Sequence, residues 1–325
     1  MLVTTVPFGD PDPRPRDMLF KAGVDFEVQA TGRRLTSDEL ASIASPFGVL
    51  IAGTESITAN VMDCAKDLRL IARVGVGLDG VDLTAARARG IAVSYTPHAP
   101  APAVAEFTVG LMIDLMRHVT AADRSVRNGT WKRIMGRRMD GATIGVIGVG
   151  RIGSRVVKIL RGAFPSIRVL ANDIQPGIET GRRYGIEWVG KEELLASSDL
   201  VTLHVPLTTG TRHMISMKEL QLMRPSAVLV NTARGAVVCE KDLAAGLRSG
   251  ILAGAAIDVF ETEPYSGDLV SIPNCLLTCH MASMDTDCRA RMEIEATEDA
   301  IRFLQGEKIH QIVPETEYEL QGNLR

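Results

Sequence analysis

The chain has 325 residues, a formal net charge of −3 at pH 7, 46% hydrophobic residues and 23% charged residues. This length predicts two domains, each with its own core, and the composition is typical of a globular protein. The small negative charge predicts no nucleic-acid partner and no anionic-membrane partner. No apolar run approaches the roughly 20 residues that cross a bilayer, and the N-terminus lacks a signal-peptide pattern.

The cysteine pattern favours reduced thiols. The five cysteines are Cys64, Cys239, Cys275, Cys279 and Cys288. Their odd number and irregular spacing predict a cytoplasmic protein without a disulfide framework. Cys275, Cys279 and His280 lie close in sequence, but no fourth ligand follows at a spacing typical of zinc sites. We therefore predict no metal site.

Short β-like runs alternate with helical runs over the first 97 residues, which predicts a parallel sheet with crossover helices. Three prolines in residues 96–102 then predict a connector. Residues 103–127 form one long helical pattern that is apolar nearly all round. Such a helix is buried within one chain or shared between two. We favour the second alternative and predict a homodimer.

The most informative stretch is residues 143–173. An apolar run predicts a buried strand and is followed by Gly148-Val149-Gly150-Arg151-Ile152-Gly153, a helical pattern and a second strand that ends at Asp173. In a dinucleotide site, the first glycine permits the tight turn, the second lets the backbone approach the pyrophosphate, and the third lets the helix pack on the strand. An acid about 20 residues on binds the ribose hydroxyls, so Asp173 predicts NAD rather than NADP. The alternative is a glycine-rich turn in another α/β protein.

Three chemically suited side chains follow predicted strands farther along the chain. Ligands of an open parallel sheet bind beyond the carboxyl ends of its strands, and Arg234, Glu263 and His280 each follow such an end. A histidine can exchange the hydroxyl proton during hydride transfer, a carboxylate can orient its ring, and an arginine can bind a substrate carboxylate. Each residue alone could be structural, but the three together favour a dehydrogenase site.

Six motifs in order carry a family resemblance. They are Arg73-Val74-Gly75-Val76-Gly77-Leu78-Asp79-Gly80-Val81-Asp82, Ala103-Val104-Ala105-Glu106, Gly148-Val149-Gly150-Arg151-Ile152-Gly153, Leu203-His204-Val205-Pro206-Leu207-Thr208, Asn231-Thr232-Ala233-Arg234-Gly235 and Asp258-Val259-Phe260-Glu261-Thr262-Glu263-Pro264. With these motifs the chain resembles the D-2-hydroxyacid dehydrogenase family, which includes phosphoglycerate, glycerate and D-lactate dehydrogenases. The resemblance implies an α/β fold of two doubly wound parallel-sheet domains. A Rossmann NAD-binding domain at 98–287 would be inserted into a flavodoxin-like substrate domain at 1–97 and 288–325.

The resemblance also implies residue roles. Arg234, Glu263 and His280 would be catalytic, with His280 as the acid/base. The cofactor-binding residues would be Gly148, Gly150, Arg151, Ile152, Gly153, Asp173, His204, Pro206, Thr211, Thr232, Ala233, Asp258 and His280. The substrate-binding residues would be Gly53, Val76, Gly77, Arg234 and His280. The implied activity is NAD-dependent interconversion of a small 2-hydroxyacid and its 2-oxoacid, of the phosphoglycerate or glycerate/hydroxypyruvate type. The alternative is an NAD(H)-binding sensor that keeps the fold.

Two departures from the family pattern bear on the site. Cys279 stands before the predicted catalytic histidine, where the family usually has proline. The loop at 51–56 lacks the arginines that some phosphoglycerate enzymes place there, which disfavours a phosphorylated substrate. The basic residues Lys132, Arg133, Arg137 and Arg138 could supply phosphate-binding charge instead, although a solvated loop is the favoured interpretation.

Overall fold

The computed structural model describes residues 1–322 of the chain. The chain divides into two compact units, one formed by Met1–Pro100 with Met284–Arg325 and one formed by Ala101–Ser283. The sequence predicts these boundaries after residues 97 and 287. Within the described residues, no helix combines the length and the apolar character needed to cross a membrane.

The first unit is built on a five-stranded parallel sheet. Its strands are β1 (Leu2–Val3), β2 (Glu27–Val28), β3 (Val49–Ala52), β4 (Leu70–Arg73) and β5 (Ala92–Ser94). They are arranged in the order β2-β1-β3-β4-β5, which is the flavodoxin-like order. The order reverses between β1 and β3, so the ligand crevice of such a sheet opens at their carboxyl ends.

Helices cover both faces of this sheet. They are α1 (Arg14–Lys21), α2 (Ser37–Ile43), α3 (Ala59–Cys64), α4 (Leu83–Ala88), α12 (Thr286–Leu304) and α13 (Glu315–Gly322). Thr36 caps α2 in a reciprocal capping box with Glu39, which satisfies backbone N–H groups that the first helical turn leaves unpaired. Helix α12 packs on α1 and on the strands β3 and β4. The C-terminal part of the chain thus completes the first unit.

The second unit contains a seven-stranded parallel sheet. Its strands are β6 (Thr143–Ile147), β7 (Arg168–Asn172), β8 (Ile186–Trp188), β9 (Leu200–Leu203), β10 (Val228–Asn231), β11 (Gly254–Ile257) and β12 (Cys275–Leu277). The order β12-β11-β10-β9-β6-β7-β8 is that of a Rossmann sheet with one added strand. Every residue of the central strands β9, β10 and β11 is buried, as expected where helices cover both faces. The α/β fold of two doubly wound sheets is confirmed.

The second unit carries seven helices in its described residues. They are α5 (Pro100–Arg117), α6 (Val119–Arg127), α7 (Gly153–Ala163), α8 (Ile178–Tyr184), α9 (Lys191–Ser197), α10 (Met217–Leu220) and α11 (Glu240–Arg248). Short 3-10 turns lie at Gly235–Val237 and Asp268–Ser271. Two apolar clusters fill the two faces of the sheet.

Two sequence predictions are wrong around α5. The single helix predicted for 103–127 is two helices, because His118 adopts a left-handed conformation with φ 57° and interrupts the backbone between α5 and α6. The connector predicted for 96–102 ends early, because α5 begins at Pro100. Proline is tolerated in the first helical turn, where the backbone N–H has no intrahelical partner.

Candidate active site

The glycine loop between β6 and α7 has the close packing that the sequence motif requires. Gly148 adopts φ 90°, and a Cβ on it would lie 2.5 Å from the carbonyl oxygen of His204. A Cβ on Gly153 would overlap the carbonyl of Gly148, so this glycine allows the helix to approach the loop. Gly150 differs, because a Cβ there would meet no atom within 4 Å. The backbone at Gly150 is therefore open to an approaching ligand.

The start of α7 and the end of β7 frame this loop. Ile152 precedes α7 and provides no side-chain cap for its first N–H groups, which leaves a positive helix end suited to phosphate. Arg151 is exposed beside it. The Asp173 carboxylate accepts a hydrogen bond from the N–H of Val149 at 2.7 Å and one from Gln175 at 2.9 Å. Each of its oxygens keeps a further lone pair that a ribose hydroxyl can use.

His204 lies beneath the glycine loop. Its Nε2 is 3.0 Å from the hydroxyl of Thr202, while its Nδ1 is buried and has no partner among the described residues. Burial lowers the pKa of His204 to about 3, so this ring is neutral at working pH although part of the residue is exposed. Pro206 and Thr211 belong to the next turn, where the Thr211 hydroxyl donates to the carbonyl of Pro206 at 2.6 Å.

The loop after β10 is fixed by Asn231, which is fully buried. Its side-chain oxygen accepts the N–H of Ala233 at 3.0 Å, and its amide donates to the carbonyl of Arg234 at 2.9 Å. Thr232 shares a 2.8 Å hydrogen bond with Thr108. Because the Thr108 hydroxyl already donates to Val104, Thr232 is the donor in this bond. These contacts hold the backbone that carries Arg234.

The loops after β10 and β11 touch through their backbones. A Cβ on Gly235 would overlap the carbonyl group of Phe260, so a side chain at this position would push the two loops apart. The second loop carries Glu263, whose Oε1 accepts the N–H of Phe260 at 3.1 Å. The structure thus brings the loop of Arg234 against the loop of Glu263.

Glu263 and His280 form a hydrogen-bonded pair. The Glu263 Oε2 lies 2.8 Å from Nδ1 of His280, and Oε1 lies 3.1 Å away. A carboxylate only accepts hydrogen bonds, so Nδ1 carries the proton and Nε2 is left to face a reactant. The His280 side chain is 43% exposed and the Glu263 side chain 27% exposed. The pair is therefore accessible to a ligand.

Asp258 holds the segment that contains His280. It is fully buried, and its two oxygens accept hydrogen bonds from the hydroxyl of Thr278 at 2.6 Å and from the N–H groups of Met281 and Ala282 at 2.9 and 3.1 Å. The carbonyl of Asp258 also accepts the N–H of His280 at 2.7 Å. These bonds support the left-handed conformation of His280, with φ 53°. Asp258 therefore positions the histidine loop through all of these contacts.

A further group of side chains behind Glu263 was missed by the sequence reasoning. Glu240 Oε1 accepts the N–H of Glu261 at 2.6 Å, and His213 Nε2 lies 3.2 Å from Glu261 Oε1. Burial raises the pKa of Glu240, and the charges of Glu261 and Glu263 act in the same direction. Residues 213, 240 and 261 are far apart in sequence, so no local pattern could have joined them.

The predicted substrate-binding residues Gly53, Val76 and Gly77 belong to the first unit. Gly53 follows β3 and is buried, whereas Val76 and Gly77 follow β4 and are partly exposed. The loop after β4 is held at Gly75, whose N–H donates to the Thr96 hydroxyl at 2.8 Å and whose carbonyl accepts the N–H of Thr96 at 3.1 Å.

The basic residues at 132–138 differ in their contacts. Arg137 donates to the carbonyl of Ser226 at 2.5 Å and pairs with Asp199, and Arg138 pairs with Asp140 at 3.5 Å. Lys132 and Arg133 are exposed. The two later arginines thus have carbonyl or carboxylate partners within the second unit.

Comparison with known proteins places this arrangement in a family. Residues 109–282 match the model of the D-isomer specific 2-hydroxyacid dehydrogenase NAD-binding domain. A glyoxylate reductase of Korarchaeum cryptofilum is 40% identical over 262 residues, which cover 78% of each chain. A hydroxypyruvate reductase of Thermotoga maritima is 35% identical, over 86% of this chain and 92% of that one. The crystal structure of the TT0316 protein from Thermus thermophilus superposes with a TM-score of 0.87 at 35% identity, covering 97% of this chain and all of that one.

The chain therefore belongs to the D-isomer specific 2-hydroxyacid dehydrogenase family. It is accordingly an oxidoreductase that acts on a CH–OH group and uses NAD. The residues around the glycine loop fit a dinucleotide, since the open space at Gly150, the uncapped start of α7 and the carboxylate of Asp173 match its pyrophosphate and ribose.

Proposed function

We propose that the protein interconverts a small 2-hydroxyacid and its 2-oxoacid, with the glyoxylate, hydroxypyruvate and glycerate type as its substrates. The observation that carries this proposal is the Glu263–His280 pair, placed at the same sheet edge as a glycine loop suited to NAD. The names of two similar proteins, glyoxylate reductase and hydroxypyruvate reductase, support the same substrate class.

NAD, when bound, supplies the hydride acceptor or donor at its nicotinamide ring. In our proposal, His280 takes the hydroxyl proton at Nε2 during oxidation and returns it during reduction. Glu263 holds the ring in the required tautomer and stabilises its protonated form through Nδ1. Asp258 positions the histidine loop. The proton thus moves between His280 and the substrate oxygen, while the carboxylate of Glu263 stays ionised.

Arg234 is proposed to bind the substrate carboxylate and to polarise the neighbouring carbonyl. Its guanidinium has several donors in a planar arrangement that matches a carboxylate. The hydrogen bond from the Asn231 amide to the carbonyl of Arg234 fixes the backbone that carries this side chain. Gly53, Val76 and Gly77 of the first unit are also proposed as substrate-binding residues. Thr232 and Ala233 are proposed to lie near the nicotinamide, and His204, Pro206 and Thr211 near the adenosine.

A homodimer is the proposed assembly, with α6 and the following loop as its contact surface. No residue of α6 is buried in the single chain. Val119 and Val126 are 56% and 53% exposed, and Trp131 and Met135 are 87% and 93% exposed. Exposed apolar residues grouped in this way mark contact surfaces. Sedimentation analysis of wild type and of a Trp131→Ser, Met135→Ser double variant tests the proposed dimer. A wild-type protein that sediments as a monomer at micromolar concentration would contradict the proposal.

The enzymatic proposal is tested by NADH oxidation with glyoxylate, hydroxypyruvate, pyruvate and 3-phosphohydroxypyruvate. Turnover of at least one 2-oxoacid is expected, together with its loss in Arg234→Ala and His280→Ala variants that keep the wild-type melting temperature. A folded His280→Ala variant with near-normal kcat/KM would refute the assigned role. Tight NADH binding without turnover of any 2-oxoacid would instead favour a sensor.

A further inference from the structure

The loop that carries Glu263 is held from outside by a residue that the proposed reaction does not use. The Oε1 atom of Glu240 accepts the backbone N–H of Glu261 at 2.6 Å. The N–H of the preceding residue, Phe260, is bound by Oε1 of Glu263 itself at 3.1 Å. Two consecutive N–H groups of this loop therefore end on carboxylates, and one of these carboxylates belongs to α11.

Glu240 is the first residue of α11, and its contact with the loop consists of two opposed hydrogen bonds. The residue before the helix, Cys239, provides no side-chain cap, and Oε1 of Glu261 accepts the N–H of Glu240 at 3.4 Å. Glu261 thus supplies an acceptor for one of the N–H groups that the first helical turn leaves unpaired. The loop and the start of the helix are joined through the same two residues.

Helix α11 is a rigid support for this contact. Its buried side chains belong to the apolar cluster that also contains Ile257 of β11, and they include Leu243, Ala244 and Leu247. Strand β11 leads directly into the loop of Glu263. A group on a helix that is packed in the core is held more precisely than a group on a loop. Glu240 therefore fixes the loop relative to the strand from which it emerges.

The contact also reaches the loop that carries Arg234. Nε2 of His213 lies 3.2 Å from Oε1 of Glu261, and the backbone N–H of His213 donates to the carbonyl of Ala236 at 2.7 Å. Ala236 belongs to the 3-10 turn directly after Arg234. His213 therefore connects this turn with the loop that carries Glu263.

We propose that Glu240 is a positioning residue for the proton transfer at His280. It acts through the N–H of Glu261, which fixes the loop from which Glu263 reaches Nδ1 of His280 at 2.8 Å. A shift of about 1 Å in that loop would misalign the bond that orients the imidazole, and a misplacement of this size can lower turnover by about 10²-fold. This inference rests on the proposed function, because it assigns Glu240 a role in the reaction at His280.

The contact requires an acceptor within reach of the loop rather than a negative charge. Burial raises the pKa of Glu240, and the charges of Glu261 and Glu263 act in the same direction. These surroundings disfavour the charged form, so a neutral acceptor should be tolerated. One oxygen of Glu240 binds the Glu261 N–H, and a glutamine can keep that bond through its carbonyl. An aspartate keeps the charge, but its shorter side chain leaves the N–H out of reach unless the loop moves.

The test compares Glu240→Gln, Glu240→Asp and Glu240→Ala in kcat, in KM for NADH and in melting temperature. Glu240→Gln should keep kcat within roughly threefold of wild type, because the acceptor remains. Glu240→Asp and Glu240→Ala should lower kcat by on the order of tenfold or more, with KM for NADH near the wild-type value. Glu240→Asp keeps an acidic residue in the first turn of α11, which favours the helix. Its melting temperature should therefore be at least that of Glu240→Gln, so that activity and stability follow opposite orders.

Asp242→Ala is the matched control. Asp242 is the other acidic residue in the first turn of α11, and its Oδ2 accepts the N–H of Met217 at 2.9 Å, away from the loop of Glu263. We expect Asp242→Ala to keep a kcat near that of wild type, even where its melting temperature falls as far as that of Glu240→Ala. A loss of kcat equal to that of Glu240→Ala would show a general effect of destabilising α11 and would overturn the inference.

Two further outcomes overturn the inference. One is a Glu240→Asp variant that is at least as active as Glu240→Gln, and the other is a folded Glu240→Ala variant with the kcat of wild type. If Glu240→Ala does not fold, the comparison of Glu240→Gln with Glu240→Asp decides. A wild type that turns over no 2-oxoacid would instead refute the proposed function itself.

Discussion

The Oε2 atom of Glu263 lies 2.8 Å from Nδ1 of His280, while Oε1 of the same carboxylate accepts the backbone N–H of Phe260. One side chain thus fixes both the histidine ring and the backbone of its own loop. The two functions use different hydrogen-bond partners, so a substitution can separate them.

Glu263→Gln is expected to lower kcat/KM by about 10²- to 10⁴-fold, the range that a positioned acid/base contributes. The glutamine oxygen can still accept the Phe260 N–H, but its NH₂ group would then face Nδ1 of His280 and favour the wrong tautomer. Steady-state kinetics with the preferred 2-oxoacid measure the loss. NADH affinity and melting temperature serve as controls and should stay near wild type. A kcat/KM within threefold of wild type would refute the proposed role of Glu263.

Asp258→Asn is expected to lower both stability and turnover. An asparagine cannot accept every bond that the buried carboxylate accepts from Thr278, Met281 and Ala282, and an unsatisfied buried donor costs about 1–3 kcal/mol in the free energy of unfolding. Displacement of the His280 loop should lower kcat by on the order of 10²-fold. Urea denaturation and kinetics measure the two effects. Thr278→Ser, which keeps the hydroxyl donor, is the control, and unchanged kcat in Asp258→Asn would contradict the positioning role.

Two glycine substitutions in the nucleotide loop should have different consequences. Gly150→Ala adds a methyl group where no atom lies within 4 Å, so the fold should persist while NADH affinity falls at least about tenfold, because the glycine allows close approach of the pyrophosphate. Gly153→Ala places its methyl group against the Gly148 carbonyl and should destabilise the protein itself. Calorimetric titration with NADH measures the loss of affinity in Gly150→Ala, and thermal unfolding measures the loss of stability in Gly153→Ala. Wild-type NADH affinity in Gly150→Ala would argue against a pyrophosphate at this loop.

The burial of His204 predicts a pH dependence of stability. Its pKa is lowered from 6.5 to about 3 in the folded protein, so below pH 6.5 the unfolded chain binds a proton that the folded protein does not. This contribution to stability is present above pH 6.5 and is lost as the pH falls towards 3. His204→Gln can keep the hydrogen bond to Thr202. In urea denaturation, this variant should lose less free energy of unfolding between pH 7.5 and 4.5 than wild type loses. If the free energy of unfolding of His204→Gln changed between these two pH values as much as that of wild type, His204 would not titrate in this way.

The fold followed from local patterns, since buried strands, glycine loops and helix caps each depend on a few consecutive residues. The pairing of Glu263 with His280 was also expected, because both residues follow predicted strand ends and the family resemblance assigns the same pair. The helix break at His118 was missed because the apolar periodicity used to predict helices does not report a single residue with a left-handed backbone conformation. Two other sets of contacts were missed for another reason. They are the hydrogen bonds of Asn231 to the backbone of the Arg234 loop and the hydrogen bond between Glu240 and Glu261. They join loops that only the folded sheet brings together.

The backbone contact at Gly235 restricts how this protein can diverge. The loop of Arg234 touches the loop of Glu263 without room for even a methyl group, so an insertion or a bulkier residue in either loop would displace both. Variation among natural descendants should therefore spare this edge of the second unit. Directed evolution towards a new 2-oxoacid would do best to leave residues 231–235 and 258–264 untouched.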